Sequence, residues 1–217
     1  MTLEIKGLSV RYRQEPSLFA PLDLCIESGE VATVMGPSGI GKSTLLDAIG
    51  GHLAAGFTMT GSVRLDGREV TQLPPEARRI GLMFQDAALF PHLSVGDNLA
   101  FGLARAIGGR AARRAAVEAA LEQAGLGGLY ERDPATLSGG QRARAALMRT
   151  LLADPQALLL DEPFSRLDAA RRAAVRGFTF AHIRDRAIPA LMVTHDPADA
   201  EATGGQVLSL VTEGAGG

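Results

Sequence analysis

The stretch GPSGIGKST, residues Gly36 to Thr44, follows the apolar run EVATVMG and opens GKSTLLDAIGGHL, a segment of helical composition. Its spacing is G-x-x-x-x-G-K-[ST], and a strand before with a helix after is the context in which that pattern binds phosphate. Gly36, Gly39 and Gly41 let successive backbone N–H groups curl around a phosphate, with Pro37, Ser38 and Ile40 completing the loop. Lys42 places a point charge between the β- and γ-phosphates of a nucleotide, Ser43 offers a hydroxyl to Mg²⁺, and Thr44 continues into the helix. The chain's only lysines are Lys6 and Lys42, so one of two falls in the required slot. Such a loop commits the surrounding residues to a buried strand, a tight turn and a helix, the unit from which mostly parallel α/β sheets are built.

The remaining length fits that commitment. The 217 residues suffice for one sizeable domain. With 46% hydrophobic and 21% charged residues, the composition is ordinary for a globular protein. The formal net charge of −2 argues against a general nucleic-acid surface. The single cysteine, Cys25, has no internal partner, and its place in LDLCI predicts a buried strand position rather than a reactive thiol. The first residues, MTLEIKGLSVRY, lack the apolar run of a secretion signal, and no apolar stretch approaches the roughly 20 residues of a membrane helix. A reducing, cytoplasmic setting is the expectation.

Along the chain, TLEIKGLSVRY, APLDLCI and SVRLDG read as strands broken by Pro and Gly. The middle changes character: SVGDNLAFGLARAI, GRAARRAAVEAALEQAGL and SGGQRARAALMRTLLADP have helical composition. QALLLDEP is then a short buried strand, LDAARRAAVRGFTFAHIRD a helix and IPALMVTHD another strand. The reading is one domain over 1–217, with an inserted helical subdomain at about 86–155.

Three further sites carry chemistry. ALLLDEP brings Asp161 to the end of a buried strand, where α/β sheets bind ligands, and a carboxylate there can hold Mg²⁺ through water. Glu162 comes next and can orient and deprotonate an attacking water, although an Asp-Glu pair after a strand is by itself an ordinary turn. MVTHD delivers His195 to the same sheet edge, within reach of a γ-phosphate. In DPATLSGGQRARAAL, Ser138 is a good helix N-cap, and Gly139 and Gly140 allow close approach of a backbone. On their own these residues leave two readings, a plain cap and a phosphate-touching helix start.

Gly36–Thr44, LSGGQ at 137–141, LLLDEP at 158–163 and His195 occur in the order found in ATP-binding-cassette ATPases, and the resemblance covers nearly the whole chain. It implies an α/β P-loop NTPase fold: a mostly parallel core sheet, an N-terminal antiparallel β subdomain and an inserted α-helical subdomain. It implies ATP and Mg²⁺ as ligands. It also implies that Ser138, Gly139, Gly140 and Gln141 complete the site of a second, head-to-tail copy, so that two ATPs lie sandwiched in a dimer. By the same resemblance Gln85 in GLMFQD reaches Mg²⁺ and the attacking water, and a polar strand end is its plainer role. Tyr12 in SVRYR corresponds to the aromatic that stacks on adenine, against a core or surface aromatic. Asp168 corresponds to the acid that couples the two sites. Arg166 stands where the family usually has a small residue.

LFPHLSVGDNLAFGL and DEPFSRLD are similar to the ATPases of binding-protein-dependent importers, whereas export ATPases usually read DEPTGNLD. The segment from Ala87 to Val95, with Leu89, Phe90, Pro91 and His92, then lies near the groove that receives a permease. The implied partners are membrane permease subunits and a solute-binding protein, with no nucleic acid, and the implied place is the cytoplasmic face of the inner membrane as a peripheral subunit. The resemblance is to compact importer cassettes that lack an added C-terminal regulatory domain. Competing readings are an ATPase of an export or lipoprotein-release system, and a soluble family member acting on nucleic acid or ribosomes. The single cassette and the absence of sustained heptads speak against the second of these.

Overall fold

The computed structural model describes residues 1–86, 88–104 and 106–212. Ala87, where the expected permease-facing segment begins, and the tail from 213 lie outside them. The order of elements is β1 (Leu3–Tyr12), β2 (Leu22–Ile26), β3 (Val31–Met35), α1 (Lys42–Gly50), β4 (Phe57–Leu65), β5 (Arg68–Glu69), α2 (Pro75–Arg78) and β6 (Ile80–Met83). There follow α3 (Val95–Gly102), α4 (Arg110–Gln123), α5 (Gly139–Leu151), β7 (Ala157–Asp161), α6 (Ala169–Asp185), β8 (Ala190–Thr194), α7 (Pro197–Glu201) and β9 (Val207–Ser209).

Two sheets form, and hydrophobic patterning explains which is which. In β1, β2 and β4, buried and exposed residues alternate over part of each strand, as one-sided antiparallel strands require. They pair antiparallel in the order β2-β1-β4-β5. The second sheet runs β6-β7-β8-β3-β9, with β3 parallel to β8 and β9, and β7 parallel to β8. Here the strands are continuous apolar runs: Val31 to Val34, Ala157 to Leu160 and all of β8 are buried. That is the signature of strands covered on both faces. The expected fold class is therefore what the chain adopts.

The expectation for Cys25 fails. LDLCI buries Leu22, Leu24 and Ile26 and exposes Asp23 and Cys25. Period two puts the cysteine on the face of the aspartate, so its own hydropathy does not decide its side. Desolvation, with the neighbouring Glu27 and Glu4 carboxylates, raises the Cys25 pKa, which keeps it a thiol of low reactivity.

The chain divides into two compact units. The first comprises Met1–Leu82, Gln156–Glu162 and the described residues from Phe180 onward. Its core joins both sheets to α1 through Leu3, Ile5, Phe19, Leu45, Ile49, Leu159 and Val193, all fully buried or nearly so. Arg78 is buried within it and carries four backbone carbonyls: those of Ala48 and Ile49 in the last turn of α1, and those of Thr71 and Leu73. A cation at a helix C-terminus opposes the partial negative charge there, so Arg78 fixes the far end of the helix that begins at the glycine-rich loop.

The second unit comprises Met83–Pro155 and Pro163–Thr179, and so includes the turn after β7 and the first part of α6 besides the helical block. Val95, Leu99, Val117, Leu121, Leu147 and Leu151 form its buried interior on α3, α4 and α5. Burying each such side chain contributes about 1.5–3 kcal/mol.

Candidate functional site

The glycine-rich loop links β3 to α1. Gly39 and Gly41 have φ of 84° and 103°, left-handed conformations that side chains disfavour, and these turn the loop back over the helix start. No side chain caps α1. The first intrahelical bond is donated by Leu45 N to Gly41 O, so the amides of Lys42, Ser43 and Thr44 stay available to an anion. Lys42 is only 7% exposed, and its ammonium donates to Gly36 O at 2.8 Å and Pro37 O at 3.1 Å. The positive charge is thus held at the centre of the loop that surrounds it. Pro37, Ser38, Gly39 and Ser43 are exposed, whereas Gly36, Ile40 and Thr44 are half-buried.

The strand ends supply the acids. The Ser43 hydroxyl lies beside the carboxyl of Asp161, at the end of β7. Burial raises the Asp161 pKa, the Ser43 hydroxyl and Lys42 pull it down, and the Glu162 and Asp47 charges add to the rise. Burial likewise raises Asp47, one turn along α1 from Ser43. A hydroxyl and a carboxylate are hard oxygen donors and suit Mg²⁺, which is held by few protein ligands together with phosphate oxygens and water. Among the described residues no group of three or more His, Cys, Asp or Glu could by itself hold a metal ion. The pair therefore fits an ion carried largely by a nucleotide.

Glu162 sits at φ 41°, a left-handed conformation unusual for a side-chain-bearing residue, and its N–H donates to Val193 O on β8 at 3.0 Å. One carboxylate oxygen lies 3.7 Å from the Lys42 ammonium and the other 3.1 Å from His195 Nδ1. The Glu162 side chain is 16% exposed and that of His195 60%. A sheltered carboxylate thus bridges a fixed cation and an imidazole that reaches solvent. Tyr12, at the end of β1, is half-buried, with its ring 5.0 Å from that of Phe57 and the Arg13 guanidinium 4.9 Å from its centre. It is a partly packed aromatic that still presents surface.

In the second unit, Ser138 N-caps α5. Its hydroxyl accepts from Gln141 N, and the Gln141 side chain accepts from Ser138 N, a reciprocal capping box. Both earlier readings of LSGGQ are compatible with this geometry. The cap uses Gln141 N and leaves the amides of Gly139 and Gly140, and the Ser138 hydroxyl proton, at a helix start. Gln85 is exposed just after β6, with Nε2 3.5 Å from Ser165 Oγ. The next residue, Asp86, pairs with Arg166. Asp168 accepts from Arg171 N at 3.0 Å and so caps the start of α6. A cleft of about 680 Å³ opens beside these groups, lined by Gln85, Asp86, Leu89, Arg142 and Arg166 among others.

In the expected permease-facing segment, Pro91 and His92 are exposed and Leu89 and Phe90 half-buried. The Phe90 ring meets Phe101 edge-on at 4.8 Å, and Phe101 is 70% exposed. Asn98, fully buried, shapes the turn by accepting from Phe90 N and donating to the carbonyls of Phe90, Leu93 and Ser94. Sequence reasoning missed Asn98, Arg78, Asp47 and the Asp86–Arg166 pair. Only the S-x-x-Q spacing of the capping box had a local signal.

Comparison with known proteins identifies the family. The family model described as ABC transporter matches residues 19–165. An uncharacterized ABC transporter ATP-binding protein of Escherichia coli K12, YnjD, is 50% identical over 198 residues, which is 91% of this chain and 90% of the relative. The thiamine import ATP-binding protein ThiQ of Cereibacter sphaeroides is 46% identical over 80% of this chain and 74% of its own length. The sulfate/thiosulfate import ATP-binding protein CysA of Mycobacterium bovis is 44% identical over 82% of this chain, which spans half of that relative. With the glycine-rich loop, the DE strand and LSGGQ in their expected places on this fold, the chain belongs to the ABC transporter family as one of its ATP-binding proteins.

Proposed function

We propose that this chain is the motor subunit of a bacterial importer, an ATPase that closes as an ATP-sandwich dimer and drives a membrane permease. The observation that carries the reading is the Lys42–Glu162–His195 arrangement beside the Ser43–Asp161 pair. Lys42 and the first amides of α1 hold the β- and γ-phosphates of ATP. Ser43 and Asp161, with Gln85, would hold Mg²⁺, which when bound neutralises developing charge on the phosphates. Glu162 accepts the proton of a water whose oxygen bonds to the γ-phosphorus, and the bond from that phosphorus to the bridging oxygen breaks. ADP leaves with the electron pair. His195 orients Glu162 and contacts the γ-phosphate, and Tyr12 stacks on adenine.

In the dimer, Ser138, Gly139, Gly140 and Gln141 of one copy cap the γ-phosphate bound by the other with a hydroxyl, amides and a helix dipole. ATP binding then drives closure, and hydrolysis reopens the pair. Phe90, Phe101, Pro91 and His92 offer an aromatic surface to the permease, and exposed aromatics of this kind serve as interface anchors. The import direction rests on the relatives named for thiamine and sulfate/thiosulfate import. Among the described residues no helix is long and apolar enough to cross a membrane, as a peripheral subunit requires.

The test is a tagged pull-down of the chain from gently solubilised native membranes, with mass spectrometry of what accompanies it. Recovery of a permease with a solute-binding protein supports an importer. Recovery only from the soluble fraction, with ribosomes or DNA, removes transport and leaves the ATPase.

A further inference from the structure

The chain turns back on itself directly after the ring assigned to adenine. Successive side chains of a strand point to opposite faces, so Tyr12 and Arg13 would diverge if the strand continued. Arg13 instead takes a φ of 51°, and its N–H donates to Gly56 O at 2.8 Å. Glu15 N closes the turn on Tyr12 O at 2.9 Å. The Arg13 side chain thereby returns over the Tyr12 ring, with the guanidinium carbon 4.9 Å from its centre. The ring itself is fixed. Phe57, its partner in the β1–β4 ladder, meets it tilted at 5.0 Å. It also lies so close to the Gly56 backbone that a Cβ there would come within 2.7 Å of Tyr12 Cε2. Arg13 is exposed, and among the described residues its guanidinium makes no hydrogen bond or ion pair. The same segment ends against the glycine-rich loop. Leu18 N donates to Val10 O at 2.8 Å, and Leu18 and Phe19 pack on Gly41, where a Cβ would meet each at 3.3 Å. The stretch from Tyr12 to Phe19 therefore joins the aromatic platform to the phosphate-binding loop within one compact unit.

We propose that Arg13 is a nucleotide-binding residue, the outer layer of a stack in which a purine lies between the Tyr12 ring and the Arg13 guanidinium. This deepens the proposed function and rests on its assignment of Tyr12 to the base. A planar guanidinium stacks on a nucleobase as it does on a phenol ring. With the base inserted, two layer contacts of about 3.5–4.0 Å put the guanidinium about 7–8 Å from the ring. The backbone of Arg13 is held while its exposed stem is free to make that movement. The layer meets the flat face of a base and no hydrogen-bonding edge. It therefore favours purines over the smaller pyrimidines and does not separate ATP from GTP.

The experiment titrates the full chain by calorimetry with non-hydrolysable analogues of ATP, GTP and UTP and with inorganic tripolyphosphate, each with Mg²⁺. It compares wild type with Arg13→Ala, Arg13→Lys, Tyr12→Ala and the double variant Tyr12→Ala/Arg13→Ala. Arg13→Ala should weaken the ATP and GTP analogues about three- to tenfold and the UTP analogue less. Tripolyphosphate, which has no base, should stay within about twofold of wild type, and the thermal midpoint of the nucleotide-free protein should not move. Arg13→Lys should recover part of the loss. The double variant should lose less than the product of the single losses, because the outer layer depends on the inner one. Unchanged ATP-analogue affinity in Arg13→Ala beside a clear loss in Tyr12→Ala overturns the role of Arg13 alone. Tighter binding also overturns it, since Arg13 is then a cover that the base must displace. An equal loss for tripolyphosphate assigns the charge to the phosphates and overturns it likewise. No loss in Tyr12→Ala overturns the assignment of Tyr12 and this inference with it.

Discussion

Glu162→Gln replaces one carboxylate oxygen by an amide nitrogen, keeps the volume and removes one negative charge. The structure says what survives. Lys42 keeps its carbonyl partners on Gly36 and Pro37, and the Glu162 backbone keeps its bond to Val193. The amide can still meet His195, 3.1 Å from the native carboxylate. What is lost is the carboxylate placed between Lys42 and His195. A positioned base contributes about 10²–10⁴ in rate. At 1.36 kcal/mol per decade, the barrier should rise by about 2.7–5.4 kcal/mol. Binding should move the other way. Unit charges about 4 Å apart interact by about 4 kcal/mol at the effective dielectric of a protein surface. The native carboxylate competes with the γ-phosphate for Lys42 at a comparable distance, 3.7 Å, and solvent screens part of that competition. ATP should therefore bind the variant as tightly as wild type, or more tightly. Steady-state phosphate release, fluorescence titration of a labelled ATP, and gel filtration with ATP and Mg²⁺ read the three consequences: slow turnover, undiminished affinity and a trapped dimer. Turnover within tenfold of wild type would refute the assignment of Glu162 as the base.

Three other outcomes follow from the site. Ser138→Arg should leave ATP binding by a single copy intact but abolish the ATP-dependent dimer, because a long cation fills the space at the start of α5; an undiminished dimer on gel filtration contradicts the role of LSGGQ toward a second copy. Tyr12→Ala should weaken ATP by about 1–3 kcal/mol if the ring stacks on adenine, and unchanged affinity leaves Tyr12 as packing for Phe57 and Gly56. The raised pKa of Asp161 makes stability pH-dependent with a definite sign: between the unfolded value of about 3.9 and the higher folded value, the folded state holds more protons, so stability falls as pH rises through that window. Asp161→Asn should therefore raise the thermal midpoint of the nucleotide-free protein at pH 7 and change it little near pH 3; an equal change at both values shows that ionisation of Asp161 is not the cause.

What could be read in advance depended on whether a signal was local. The glycine-rich loop, ALLLDEP and MVTHD each place a strand, a turn and candidate site residues within under ten contiguous residues, and β3, β7 and β8 lie side by side to bring them together. IGLM in β6 was harder. It is four residues with a glycine and no alternation, and its neighbour in the sheet, β7, is distant in sequence. Cys25 was misplaced because residue type outweighed period, although Asp23 already marked the outer face. Arg78 and Asn98 are polar residues inside the protein whose partners are backbone carbonyls and an amide, and nothing in residue identity announces such partners. The pairing of Asp86 with Arg166 closes a loop of eighty residues, and only the folded chain shows it.

The left-handed backbone at Glu162 sets folding against chemistry at one position. Such a conformation costs an L-residue about 1–2 kcal/mol, and Gly adopts it freely. Selection for stability alone would accordingly drift toward Gly or Asn at 162. A library of this chain sorted only for expression or heat resistance should enrich those residues there and return well-folded, inactive proteins. The same library sorted for turnover should hold the acid in place, so the two outcomes at this codon would separate what the fold prefers from what the reaction demands.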